Sequence, residues 1–155
     1  MKKDSKMRLA IFVSIISVVV VYVSWELAFS GYGLDGLEAN ATKTTLEQIL
    51  SGRFPTSLNK LGENGTVVKV NSLRVVEVMR AIDGDVHVHV SDGNVSLFVT
   101  EITPYWQLHG VALPKVGDFI NITGVIFCDS AHQTEEWHGK TCWEIHPVVK
   151  IESAN

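Results

Sequence analysis

From residue 66 onward the chain is written largely in two-residue periods. Val86-His87-Val88-His89-Val90 alternates without a fault between two Asp-Gly pairs, Asp83-Gly84 and Asp92-Gly93. Alternation of this kind sends successive side chains to opposite faces of a strand, and Asp-Gly is a preferred hairpin corner. A chain so punctuated is constrained to antiparallel strands over this stretch.

The same reading extends to five strands. The first covers Thr66 to Ala81, with its alternation broken near Val75-Val76, where a bulge is expected. The second is Val86 to Val90, and the third is Val95 to Ile102. The fourth is Phe119 to Cys128, carrying Gly124 in mid-strand, where a bend or a close backbone approach is expected. The fifth begins at Cys142 and runs to Ile151. In it Trp143, Ile145, Val149 and Ile151 share one face, and Glu144, His146 and Lys150 the other. Pro104 to Lys115 forms a connection with room for a helical turn, and Asp129 to Thr141 a second long loop.

A long, bulged first strand and an insertion between the third and fourth point to an all-β, five-stranded OB-like barrel. In that topology the second strand lies beside the third and the third beside the fifth. Pro147 then requires an edge, an end or a bulge.

Upstream the character changes. Leu9 to Trp25 is a run of 17 residues without a charge, at the short end for a bilayer span. Lys2, Lys3, Lys6 and Arg8 precede it, and Glu26 follows, which places the N-terminus in the cytoplasm. The expected topology is a single-pass plasma-membrane protein held by residues 9–25. The alternative is secretion after signal cleavage near Ala28-Phe29-Ser30. Either way the remainder is exported.

The expected organisation is a cytoplasmic stub and signal anchor over 1–30, a linker with a short helix over 31–64, and the barrel over 65–155. Thr44 with Glu47 suits a capping box for a helix from Thr45 to Leu50.

Beyond residue 30 there are nine Lys or Arg against fifteen Asp or Glu, a net charge of −6. Phosphate backbones are held by basic stripes, so nucleic acid is not an expected partner. Four glycosylation triplets begin at Asn40, Asn64, Asn94 and Asn121, all in the exported part.

Cys128 and Cys142 bracket the Asp129–Thr141 loop, and in an oxidising compartment they are expected to form a disulfide. The rival is a tetrahedral zinc site from Cys128, His132, His138 and Cys142, whose spacing is non-standard.

The stretch from Asp83 to Ile151 resembles a family of small, largely uncharacterised OB-fold-like proteins. The resemblance rests on Asp83-Gly-Asp-Val-His87, Phe98-Val-Thr-Glu-Ile-Thr-Pro104, Leu113-Pro-Lys-Val-Gly-Asp118, Asn121-Ile-Thr-Gly124, Asp129-Ser-Ala-His132 and Trp143-Glu-Ile-His-Pro-Val148. In the family pattern the Asp-x-x-His element runs almost directly into the last piece. Here ten residues intervene, His138 among them. The resemblance implies a fold and a set of polar positions, with no family-wide reaction.

The polar positions converge on one candidate face. The inferred pairing brings His87, Glu101, Glu144 and His146 onto neighbouring strands, with His132, Asp85 and His89 able to supplement them. Imidazole with carboxylate suits a divalent ion such as zinc, for which His87, Glu101 and His146 are the candidate ligands. The competing expectation is the solvated side of antiparallel strands. Glu101 also shares parity with Val95, Leu97 and Val99, which a common polar face must circumvent. Tyr105, Trp106, Trp137 and Trp143 could line a groove, although Trp143 shares parity with Ile145 and reads as core.

No nucleophile elbow, P-loop, dinucleotide fingerprint or His-Glu-x-x-His helix occurs. The expected function is therefore a membrane-anchored extracytoplasmic binding module. Its partner would be an envelope protein, a small ligand or a divalent ion. One alternative is a metal-dependent hydrolase with Glu144 as general base. Another, by fold analogy, is single-stranded nucleic-acid binding.

Overall fold

The two-residue periods do become strands. A computed structural model describes residues 41–52 and 66–154. The 9–25 anchor, the cleavage position, Asn40 and Asn64 lie outside the described residues. Among the described residues no helix is long and apolar enough to cross a membrane.

In chain order the elements are β1 (Thr42–Thr44), α1 (Leu46–Leu50), β2 (Val67–Arg80), β3 (Val86–Ser91), β4 (Phe98–Ile102), α2 (Pro104–Leu108), β5 (Phe119–Cys128) and β6 (Trp143–Ser153). Strands β2 to β6 pair in the order β2-β3-β4-β6-β5, and β5 pairs back onto β2, closing a five-stranded barrel. Only β4 and β6 run parallel within the ring. The short β1 adds to β2 in parallel.

β2 is long because it serves two partners. Its first half pairs with β5 and its second half with β3. The register slips between Val75 and Glu77, where the sequence breaks its alternation. It slips again between Val70 and Leu73, around Ser72 at φ 59°, whose N–H donates to Asn121 Oδ1 at 2.9 Å. Those two bends carry one strand around the ring.

Val86, Val88 and Val90 of β3 fill the barrel with Phe98 and Ile102 of β4 and Ile145 of β6. Each fully buried side chain of this size stabilises the fold by about 1.5–3 kcal/mol. Trp106 of α2 joins the same core, and so do Leu46 and Ile49 of α1. Inward-facing Thr100 satisfies its hydroxyl by donating to the Val88 carbonyl at 2.9 Å.

Several details differ from the sequence reading. The third strand begins at Phe98, because Val95 belongs to the preceding turn: Asp92 Oδ1 accepts from the N–H groups of Asn94 and Val95. The α1 cap is Thr45, with Gln48 completing the box, one residue later than the Thr44–Glu47 pair. Pro104 to Leu108 forms a full short helix. Its Gln107 side chain donates to the carbonyls of Gly84 and Ile102, tying the β2–β3 turn to the end of β4.

Gly124 is a close approach. A Cβ there would run into Ile145 Cγ2 and lie 2.6 Å from the Pro147 carbonyl oxygen. The β5–β6 register is irregular on both sides of Gly124, and Pro147 falls in that irregular stretch, as a proline inside a closed ring must.

Candidate metal centre

Because Val86, Val88 and Val90 point inward, His87 and His89 point outward. On β4 the inward residues are Phe98, Thr100 and Ile102, so Val99 and Glu101 face out. The parity objection to Glu101 is met in part: Val95 and Leu97 precede the strand, while Val99 does share the outer face and is buried there beside Glu101. His87 pairs directly opposite Glu101, and Thr100 pairs with Ile145 of β6, which sets Glu144 and His146 beside Glu101. Asp85 stands at the entrance to β3, in the turn held by Gln107.

This outer face is not the solvated side expected of antiparallel strands. Glu144 is 1% exposed and Glu101 8%. The cover is the loop between β5 and β6. Cys128 and Cys142 form the expected disulfide, with Cα atoms 4.7 Å apart, and the Asp129 N–H donates to the Cys142 carbonyl. From that tied base the loop folds back over the strands. Gly139 (φ 72°) passes close to the strand entrance: a Cβ there would lie 3.0 Å from the Leu97 carbonyl oxygen. Trp137 stacks on the His87 ring, with centroids 5.5 Å apart and planes 20° from parallel. His138 is fully buried beneath the loop.

The buried carboxylates are paired as burial requires, since an unpaired ion in a low dielectric costs several kcal/mol. His138 Nε2 lies 2.9 Å from Glu144 Oε2, and its Nδ1 lies 2.6 Å from the Thr141 carbonyl. His146 Nδ1 lies 3.3 Å from Glu144 Oε1 and 3.2 Å from Glu101 Oε2. Glu101 Oε1 meets His87 Nε2 at 3.1 Å. Ionised carboxylates and backbone carbonyls only accept, so His138 donates from both nitrogens and His146 donates from Nδ1. That leaves His146 Nε2 directed to Asp85 Oδ2 at 3.9 Å. This spacing exceeds a hydrogen bond, and two ligands at about 2.0–2.2 Å from one tetrahedral ion sit about 3.3–3.6 Å apart, so the pair would close by a few tenths of an ångström around an ion.

Charge is unevenly compensated. Burial, then the neighbouring Glu144 carboxylate, push Glu101 up to about 7 against the pull of His146. Burial would depress His146, yet the hydrogen bond to Glu144 and the charges of Glu101, Glu144 and Asp85 outweigh it, raising it to about 9. Burial would likewise raise Glu144, but the hydrogen bonds from His138 and His146 hold it below the usual carboxylate range. His138 is raised, its bonds to Glu144 and Thr141 overcoming burial. His87 is lowered, chiefly by burial.

One group of potential ligands emerges among the described residues: Asp85, Glu101 and His146, with one ligand atom from each all lying within 4.8 Å of one another. Two of the three expected ligands are therefore together, and Asp85 takes the place expected of His87. His87 instead supports Glu101 from its other oxygen.

His132 is not among the grouped ligands: its Nδ1 lies 2.6 Å from Asp129 Oδ2 and its ring packs 5.1 Å from that of Trp137. The rival Cys128/His132/His138/Cys142 zinc set does not form, because the two sulfurs are bonded to each other and His138 is committed to Glu144. Of the four candidate groove aromatics, Trp106 is core, Tyr105 and Trp143 pack against the core, and Trp137 stacks on His87, while Phe127 meets the His146 ring edge-on with centroids 5.8 Å apart.

His138 was the residue least legible at this face, since its place under the loop depends on a long-range fold that no spacing encodes. His89 lies further along β3, with Nδ1 3.1 Å from Glu77 and Nε2 buried without a hydrogen-bond partner.

No family model matches the chain, and no curated protein matches it either.

Proposed function

We propose that the chain is a membrane-anchored, extracytoplasmic binding module of OB-like topology that holds a divalent cation at Asp85, Glu101 and His146. The observation that carries this reading is the convergence of two carboxylates and one imidazole on a sheltered face, with one ligand atom from each within 4.8 Å of the others. The mixed oxygen and imidazole donors suit zinc or another first-row metal better than calcium, which takes six to eight oxygens.

The fold adds support by analogy. In the OB-like reading β2 to β6 are strands one to five, and the parallel β4–β6 contact joins strands three and five. OB-folds bind ligands on the face of strands two and three, flanked by the loops after strands one and four. Asp85, His87, Glu101 and the His138 loop occupy those positions. An oligonucleotide would meet a loop carrying Glu135 and Glu136, and the net charge of −6 beyond residue 30 opposes it as well. Residues 9–25 supply the anchor in this reading, and the resemblance to the uncharacterised OB-fold-like family fits the same architecture.

A hydrolase is the second reading, favoured by one observation. Three protein ligands leave coordination positions for water, as catalytic sites do. Glu144 is poorly suited as its base, because both of its oxygens already accept from imidazoles.

Elemental analysis of the purified full-length chain, followed by calorimetric Zn²⁺ titration, tests the reading. One ion per chain is expected, with affinity reduced at least about tenfold in each of Asp85→Asn, Glu101→Gln and His146→Ala. Undiminished binding in all three variants would remove the site. Chelator-sensitive turnover would move the conclusion to the hydrolase.

A further inference from the structure

We infer that His138, carried by the disulfide-closed loop, is a positioning residue for the cation site, acting on the ligand His146 through Glu144. The inference rests on the cation reading above and deepens it.

A metal-bound imidazole holds its orientation and basicity when its other nitrogen donates to a carboxylate. His146 Nδ1 has two carboxylates in reach, Glu101 Oε2 at 3.2 Å and Glu144 Oε1 at 3.3 Å. Glu101 is a ligand in this reading, so a bound cation draws it toward the ion. Glu144 then remains as the partner that keeps the Nδ1–H in place. Glu144 has to be held itself, and His138 Nε2 fixes its second oxygen at 2.9 Å. His138 is in turn fixed by the Thr141 carbonyl at 2.6 Å. The chain of contacts runs from loop backbone to His138, to Glu144, to His146, and its inner members are closed to water. Loss of His138 removes the hydrogen bond that holds one Glu144 oxygen and leaves the carboxylate free to turn away.

The test uses the full-length chain, Zn²⁺ titration by calorimetry, and the visible absorption of bound Co²⁺ as a signature of ligand geometry. His138→Ala and Glu144→Ala are each expected to weaken Zn²⁺ binding by about 10–100-fold and to alter the Co²⁺ spectrum. Glu144→Gln, which still accepts from His146 Nδ1, is expected to restore most of the affinity lost in Glu144→Ala. Adding His138→Ala to Glu144→Ala is expected to cost nothing further, because the first acts through the second. In the unaltered protein, ring ¹⁵N resonances are expected to show Zn²⁺-bound His146 carrying its proton on Nδ1, a readout that needs no variant to fold.

Wild-type affinity in His138→Ala, losses that multiply in the double variant, or a proton on His146 Nε2 would overturn the positioning role. Those outcomes differ from failure of the cation reading itself, in which the unaltered chain takes up no Zn²⁺.

Discussion

Gly124→Ala is the sharpest test of the frame that holds His146. The added methyl would penetrate Ile145 Cγ2 and sit 2.6 Å from the Pro147 carbonyl oxygen and 3.1 Å from Val148 Cα. An ordinary C···O contact is about 3.3 Å and an ordinary C···C contact about 3.5 Å or more. Relief therefore requires β6 to retreat from β5 by roughly half an ångström to one ångström. Two of the three obstacles are backbone atoms and cannot rotate away.

Overpacking of this kind costs about 1–3 kcal/mol, and the backbone obstacles put this case near the upper figure. For a domain of this size that is a fall in Tm of roughly 12 °C or more. Urea unfolding followed by tryptophan fluorescence, with the m-value checked for constancy, gives the free energy directly. Zn²⁺ affinity in the same variant should drop too, since Ile145 and Pro147 flank His146. A Gly124→Ala protein within about 0.5 kcal/mol of the parent would refute the close β5–β6 approach and the placement of His146 built on it.

Two further outcomes concern the loop and its surroundings. Replacing both Cys128 and Cys142 with Ser opens a closed loop of about 15 residues, and unfolding titrations should show a loss of about 3 kcal/mol, with Trp137 fluorescence shifting to the red. His89 is lowered from its ordinary value, mainly by burial and only partly offset by Glu77. Its folded pKa lies below its unfolded value near 6.5, so its contribution is present above 6.5 and is lost as pH falls through the depressed value. Thermal melts at pH 7.5 and pH 5 should accordingly show a larger acid loss for the parent than for His89→Gln, and equal losses would contradict this account.

The barrel was legible because its strands announce themselves locally. Val86 to Val90 alternates between two turn pairs, the break at Val75-Val76 is a register slip, and Gly124 marks contact between strands. The misreadings were equally local. Val95 to Leu97 continues an apolar alternation through a turn that Asp92 folds with its side chain, and Thr44 and Thr45 are chemically equivalent as caps.

The site was half legible. Strand pairing alone predicts that His87, Glu101, Glu144 and His146 converge. The burial of Glu144, the arrival of His138 and the grouping of Asp85, rather than His87, with Glu101 and His146 were not visible. They depend on where a thirteen-residue loop lies down and on how α2 holds the β2–β3 turn, and both are contacts between residues distant in sequence.

The bond between Cys128 and Cys142 also bears on how the proposed site is kept in shape. The loop supplies the imidazole that steadies Glu144, and the sulfur bridge gathers the two ends of that loop. Under the proposed cation reading, a chain with both thiols reduced would present Asp85, Glu101 and His146 beneath an unpinned loop, and closing the bridge would be what steadies Glu144 around a bound ion.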